Sequence, residues 1–356
     1  MPNTYDQQTG RFCHLELSLG GGLDMATSPR NLPDGTSPRV RATLFRMGVV
    51  TPAKLAVGSA IVTTPSETIL QCVPYNTGTA KYLALLGSTQ AWILSSAACV
   101  AKTPTPAFTA STRWEGYSMM TGVTPVVVVN NDGLDKPHYW DGGAGAFLIL
   151  TNGYKARTCI GYLNRLFIGY PYDVSWCANR IRWSKEADIT TWIDPTAGFY
   201  DLKDEGDPIR RYGRIVGNIL FIFREGSVYR AYPTSDPYDP IAVTGPQTTK
   251  GIYAPNSLQR VEEGFFYLGP DDVYVIGETV HQGIGWQIRA ALFKEADPNK
   301  LANAWSFLDS RNKEYYLITT LKDGTFHAWI YNYEQKTWSR QDFSDYTAIG
   351  DWFANP

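Results

Sequence analysis

Charge is the first thing this sequence of 356 residues has little of: 19% of its side chains are Asp, Glu, Lys or Arg, and 32 basic against 34 acidic residues leave a formal charge of −2. So low a charge argues against long solvated helices, and the balance removes a global electrostatic grip on nucleic acid or an anionic membrane. Cysteine is scarce as well. Cys13, Cys72, Cys99, Cys159 and Cys177 form no CxxC pair, and an odd count in so long a chain does not make a disulfide framework, so reduced thiols in a cytoplasm-like compartment are expected. The four histidines, His14, His138, His281 and His327, are far apart in the chain. Apart from the adjacent Cys13-His14 there is no HxxxH or Cys/His pair at zinc spacing, so neither a metal site nor a cofactor is expected. No run approaches the ~18 apolar residues that a membrane span needs. The N-terminus, MPNTYDQQTGRFCHLELSLGGG, lacks the basic, apolar and small-residue order of a secretory signal. The expectation is a protein with no membrane span, made in the cytosol and not exported by its own address.

What the chain has in quantity is turn formers and rings. With 13% aromatic residues, 32 Gly and 22 Pro, it describes short strands and many turns. An apolar run, a turn of Gly, Asp or Asn and a second run with Trp or Tyr recur with centres at 85, 127, 168, 222, 267 and 317, at steps of 42, 41, 54, 45 and 50 residues. A lone β-hairpin cannot bury its apolar face in water, and repeats of ~40 to 50 residues solve that problem as propeller blades packed face to face. The expected fold is therefore all-β and propeller-like, with about six blade-like units in a body over 66–356. The first 65 residues, rich in Pro, Gly, Ser and Thr, read as an extended N-terminal arm. Gly226, Asp272 and Gly324 read as turn residues, because positive φ is nearly free for Gly. The last unit, EYYLITT, LKDG, TFHAWIYNY, EQK, TWSRQ, reads as three strands of one blade. One short helix is expected within 291–305, with Asp297 as N-cap and Pro298 at its first position.

Candidate chemistry is thin. Gly20-Gly21-Gly22 lacks the continuation of a phosphate-cradling loop. The segment DLKDEGDP gathers Asp201, Asp204, Glu205 and Asp207 without the alternate spacing of a calcium loop, and reads as a solvated turn before a strand. No carboxylate pair of the kind a glycosidase needs is marked by the sequence. The stretch RIRWSKEADITTW departs from the sialidase blade-turn signature: the acid stands at position five from Ser184, with no Gly and one extra residue. It reads instead as a blade corner. Arg182 and Ser184 alternate with Trp183, Asp188 accepts backbone N–H groups in the turn, and Trp192 folds back on the blade.

Three stretches together resemble the tail nozzle proteins of short-tailed bacteriophages, also called packaged-DNA stabilisation or tail tubular proteins. They are GGGLDMATSPRNLPDGTSPRVRATLFRMG at 20–48, VVVVNNDGLDKPHYWDGG at 126–143, and GYLNRLFIGYP with NRIRWSKEADITTW across 161–192. They cover about a quarter of the chain; the later units agree in kind only, and the chain is shorter than the larger nozzle proteins. The resemblance implies a structural subunit of a homo-oligomeric ring, usually sixfold, beneath the head-to-tail adaptor. Such a ring extends the DNA channel, retains packaged DNA and carries fibres, spikes, a needle or a plug. It implies a place in the virion tail, assembly in the host cytoplasm and no enzymatic activity.

Duplex DNA carries one negative charge per ~1.7 Å of axis, so a strongly basic wall would bind the genome and stall ejection. Balanced charge, with no basic cluster longer than two residues, fits double-stranded DNA in transit without sequence-specific binding. Asp201, Asp204, Glu205 and Asp207 are the candidate lumen-facing acids, their repulsion limited to a Debye length of ~8 Å. Asp24, Arg30, Asp34, Arg39 and Arg41 are the candidate contact with a neighbouring subunit or the adaptor; an internal strap closing the propeller is the alternative role for that arm. The rival class is a glycan-binding or glycan-cleaving propeller, which the Trp and Tyr content suits. A propeller scaffold for protein partners is a third.

Overall fold

The structure, a computed structural model, describes residues 65–95, 98–203, 206–214, 218–262 and 264–343, together with the backbone of six short strands nearer the N-terminus. These six form three pairs: β1 (Asn3–Asp6) with β2 (Arg11–His14), β3 (Gly22–Leu23) with β4 (Thr36–Ser37), and β5 (Thr43–Arg46) with β6 (Val49–Pro52).

Six four-stranded sheets follow, each a meander in which sequence neighbours pair. Blade 1 is β7 (Gln71–Asn76), β8 (Lys81–Leu86), β9 (Ala91–Leu94) and β10 (Cys99–Ala101). Blade 2 is β11 (Glu115–Thr121), β12 (Thr124–Asn130), β13 (His138–Trp140) and β14 (Leu148–Ile149). Blade 3 is β15 (Lys155–Tyr162), β16 (Arg165–Tyr172), β17 (Arg180–Trp183) and β18 (Gly198–Asp201). Blade 4 is β19 (Ile209–Arg214), β20 (Leu220–Arg224), β21 (Val228–Pro233) and β22 (Ile241–Thr248). Blade 5 is β23 (Gln259–Val261), β24 (Gly264–Leu268), β25 (Val273–Gly277) and β26 (His281–Gly283). Blade 6 is β27 (Trp305–Asp309), β28 (Glu314–Thr320), β29 (Phe326–Asn332) and β30 (Thr337–Phe343). The fold is all-β, a six-bladed β-propeller. The six repeated runs read from the sequence are β8, β12, β16, β20, β24 and β28, the second strand of every blade.

Those runs are continuous rather than alternating because their strands are buried on both faces. In β12, Val127 and Val129 join Tyr75, Ala84 and Leu86 of blade 1, whereas Val126 and Val128 join Leu166 and Ile168 of blade 3. In β16, Phe167 turns the other way, into a cluster with Leu220 and Ile222 of blade 4. In β20, Phe221 and Phe223 meet Phe265 and Tyr267 of blade 5. Successive residues of one strand thus serve two neighbours, as the two-residue period dictates.

The chain divides into two compact units, one of Met1–Ala56, Asp271–Val273 and Gly283–Ser344, the other of Val57–Pro270, Tyr274–Gln282 and Asp345–Pro356. Blades 1 to 4 lie within the second. Their first strands adjoin in series, β7 beside β11, β11 beside β15 and β15 beside β19, and so form the inner wall of this part of the propeller.

Two local expectations are corrected. The helix is α1 (Arg289–Glu295), and Asp297 lies beyond its end: the Asp297 carboxylate accepts from Asn299 N at 3.0 Å and its carbonyl from Lys300 N at 3.0 Å, starting a separate turn. Pro298 follows that turn's first residue, where its missing N–H costs nothing. Gly324 turns with φ +87°, but Gly226 turns without positive φ, its amide donating to Asp207 Oδ1 at 2.6 Å. Between β15 and β16 the positive φ falls on Leu163 (+49°) and Asn164 (+55°), a two-residue hairpin with no glycine. Among the described residues no helix is long and apolar enough to cross a membrane.

Candidate functional site

The inner wall of blades 2 to 4 holds an ionic clasp. Glu115 opens β11 with a side chain 1% exposed, and each of its oxygens takes two donors. Oε1 accepts from Arg113 Nη2 at 3.0 Å and Arg211 Nη1 at 3.2 Å; Oε2 accepts from Thr158 Oγ1 at 2.8 Å and Cys159 N at 3.1 Å. One carboxylate thereby joins β11, β15 and β19. Arg113 extends the clasp to Asp132 Oδ1 at 3.1 Å and to the carbonyl of Arg210 at 3.1 Å. Arg157 donates to the carbonyl of Asp132 at 2.9 Å and packs 4.6 Å from the Trp176 ring centroid. Arg211 also donates to Asn256 Oδ1 at 3.0 Å.

Burial sets the protonation of the neighbours. It lifts the Asp132 carboxyl above the usual range although Arg113 and Arg157 oppose it, and it lifts the Cys159 thiol and the Tyr212 hydroxyl well above theirs. An unreactive thiol and a carboxylate with all its bonds made are equipment for holding strands, not for moving protons. Three groups in the clasp, Arg113 Nε, Arg211 Nε and the Tyr212 hydroxyl, have no hydrogen-bond partner among the described residues.

The opposite ends of the same strands border an open cleft of about 540 Å³. Its lining includes Asn76 at the end of β7, Ser118, Met119 and Met120 in β11, Asn164 after β15 and Arg214 at the end of β19. Each inner strand therefore runs from the clasp end of the wall towards the cleft end.

The corner read from the sequence lies in blade 3. Trp183 is buried and its Nε1 donates to the carbonyl of Thr196 at 3.2 Å; Ser184 Oγ accepts from Leu166 N at 3.0 Å. Asp188 Oδ1 accepts from Thr190 N at 2.8 Å, and Trp192 is buried edge-on to Tyr154. The guanidinium of Arg182 stands 3.8 Å from the Tyr154 ring centroid and bonds Asp173 at 2.7 Å. Sequence reasoning missed the residue that ties this corner down. Arg165, 2% exposed, donates to the carbonyls of Thr196 at 2.5 Å, Pro237 at 3.0 Å and Ser184 at 3.3 Å, and pairs with Glu186 at 3.1 Å.

The acidic segment is divided in its roles. Asp201 ends β18, the outer strand of blade 3, and takes Arg180 in a two-pronged pair at 2.7 and 2.8 Å. Asp207 caps the β20–β21 turn through Gly226 N and Ser227 Oγ. Asp204 and Glu205 lie outside the described residues, as do Asp24, Arg30, Asp34, Arg39 and Arg41 of the arm. Among the described residues, no three His, Cys, Asp or Glu side chains are grouped to hold a metal ion.

No protein-family model matches this sequence, and no curated protein matches it. Solved structures similar in fold include PorZ, an essential bacterial surface component of the type-IX secretion system of Porphyromonas gingivalis. It is 12% identical with a TM-score of 0.47, and the match covers 82% of this chain and 34% of PorZ. A streptogramin B lyase is 12% identical, with 81% of this chain and 87% of the lyase covered and a TM-score of 0.47. A putative 6-phosphogluconolactonase from Bacteroides uniformis is 11% identical, with 82% and 87% covered and a TM-score of 0.49. The chain thus spans about a third of PorZ and most of the two smaller proteins.

Proposed function

We propose that this chain is a structural subunit of a bacteriophage tail nozzle, a homo-oligomeric ring that extends the DNA channel below the head-to-tail adaptor and carries a fibre, spike or needle. The observation that carries the reading is the blade 3 corner. The stretches GYLNRLFIGYP and NRIRWSKEADITTW, which bear part of the sequence resemblance, are one closed unit. Arg165 of the first donates to the carbonyl of Ser184 in the second, and Leu166 N donates in turn to Ser184 Oγ. Co-occurrence of the two motifs has a mechanical reason, and their polar groups are spent on architecture. The formal charge of −2 adds support, since a channel wall must let a polyanion pass. In this reading the segment 201–208 faces the channel and the arm at 20–48 meets a neighbouring subunit or the adaptor.

Native mass spectrometry and negative-stain electron microscopy of the purified full chain test the proposal. A hollow ring, sixfold in the expected case, is the supporting result. A monomer that binds or cleaves members of a glycan array overturns it.

A further inference from the structure

The cleft at the ends of β7, β11, β15 and β19 is one-sided in its chemistry. None of its described lining residues is acidic, while Arg214 brings a full positive charge. Arg214 is exposed and, among the described residues, its side chain makes no ion pair or hydrogen bond. Donors gather around it. Asn76 spends its carbonyl oxygen on Gly78 N at 2.8 Å, which leaves its amide nitrogen to donate; Ser118 and Asn164 make no side-chain hydrogen bond among the described residues. Beside these polar groups stand two thioethers, Met119 and Met120, the latter 46% exposed, which offer an adaptable apolar surface.

Tyr162 borders the cleft but is 1% exposed, so among the described lining residues no open flat ring is offered on which a neutral sugar could stack. The volume of about 540 Å³ falls within the range of small-molecule sites.

We infer that this cleft binds a small organic anion, a molecule with a phosphate or carboxylate held by Arg214 and the Asn76, Ser118 and Asn164 donors and an apolar body laid on Met119 and Met120. Guanidinium suits either anion, because its paired N–H groups match two oxygens at once. The inference rests on the lining residues alone and is independent of the nozzle reading: a ring that binds no anion overturns this proposal and leaves that one standing.

Isothermal titration of the full chain with adenosine monophosphate, glucuronate and inorganic phosphate is the test. Saturable millimolar or tighter binding of the nucleotide assigns the phosphate class, and the same of glucuronate assigns the carboxylate class; inorganic phosphate alone should bind more weakly, for want of an apolar body. Arg214→Ala should weaken binding about tenfold or more, the usual consequence of losing a charge-assisted pair, and Arg214→Lys should weaken it less. Ser118→Phe, which fills the cleft from another side, should weaken it without altering charge, and Arg260→Ala, at an exposed arginine of blade 5, should change nothing. Absence of binding by all three compounds at millimolar concentration overturns the proposal, and so does binding that Arg214→Ala and Ser118→Phe both leave intact.

Discussion

At the scale of single residues, the side chain that most repays attention is Glu115. Its carboxylate is enclosed, and it offsets two arginines whose side chains are 17% and 13% exposed. Deleting one member of such a group is costlier than the group is worth, because the survivors keep their desolvation penalty and lose the charge that offset it. Glu115→Ala is therefore expected to lower unfolding free energy by about 3–5 kcal/mol, read from the urea midpoint at constant slope. Glu186→Ala removes the partner of Arg165 from a position 55% exposed, where water screens the pair, and should cost about 1 kcal/mol or less. Equal costs for the two would mean that water already carries the Glu115 arginines. None of this was legible in the sequence. Arg113-Trp114-Glu115 and Arg210-Arg211 are ordinary pairs of charges, and only the propeller, which sets β11, β15 and β19 side by side in series, makes residues almost a hundred positions apart one cluster.

At the scale of the element, the inner strands are short of room because they crowd towards the axis. Gly116 of β11 shows it: a Cβ built there would lie 2.3 Å from Val73 Cγ2 and 3.1 Å from its other methyl. Val73 is 3% exposed and stiff at its branched carbon, so it has little freedom to give way. Gly116→Ala should cost about 1–3 kcal/mol by overpacking, and Val73→Ala in the same chain should cost less than it does alone, because it opens the space the new methyl needs. Purely additive losses in that cycle would place the strain elsewhere. Inner strands were also the hardest elements to read. EGYSMMT and IRRYGR carry glycine and charge where a buried strand normally carries Val or Ile, because their polar groups bond one another. The outer strands hid for the opposite reason, since an edge strand such as β22, largely exposed, has no apolar run to find. The second strands were legible throughout because burial on both faces demands a continuous apolar stretch. The six Gly-poor, apolar runs fixed the repeat, while neither the clasp nor the cleft left a local motif; the recurring EGY and IGY of β11 and β15 were the one available hint.

At the scale of the whole molecule, the carboxylates and histidines together set the response to acid. The bond from Arg180 holds the Asp201 carboxyl below its ordinary 3.8, and bonds from Thr196 and Thr325 do the same for Asp194 and Asp323. For Glu67, Asp135 and Asp188 burial pushes the other way, but hydroxyl and amide donors outweigh it and the net shift is downward. In each case the unfolded chain binds its proton first, so the stabilisation is complete above the ordinary value and is lost as pH falls through the folded one. Burial also depresses His138 and His281 below their ordinary 6.5, and between that value and the folded one the unfolded chain again holds more protons. Asp132 and Asp272 act in the opposite sense: burial raises both, so as pH falls towards 3.8 they give stability back. The expected profile is a plateau above pH 6.5, a shallow decline below it as the histidines enter, partial relief from Asp132 and Asp272 near pH 4, and a steep fall beneath that. Urea midpoints measured from pH 7.5 down to 3 trace it. A midpoint still rising between pH 4 and 3 would mean that the buried acids Asp132 and Asp272 outweigh the six bonded ones. Restoring Asp201 to its ordinary range with Arg180→Ala should shrink the steep limb, because the proton that Asp201 now refuses in the folded state would be taken at the same pH in both.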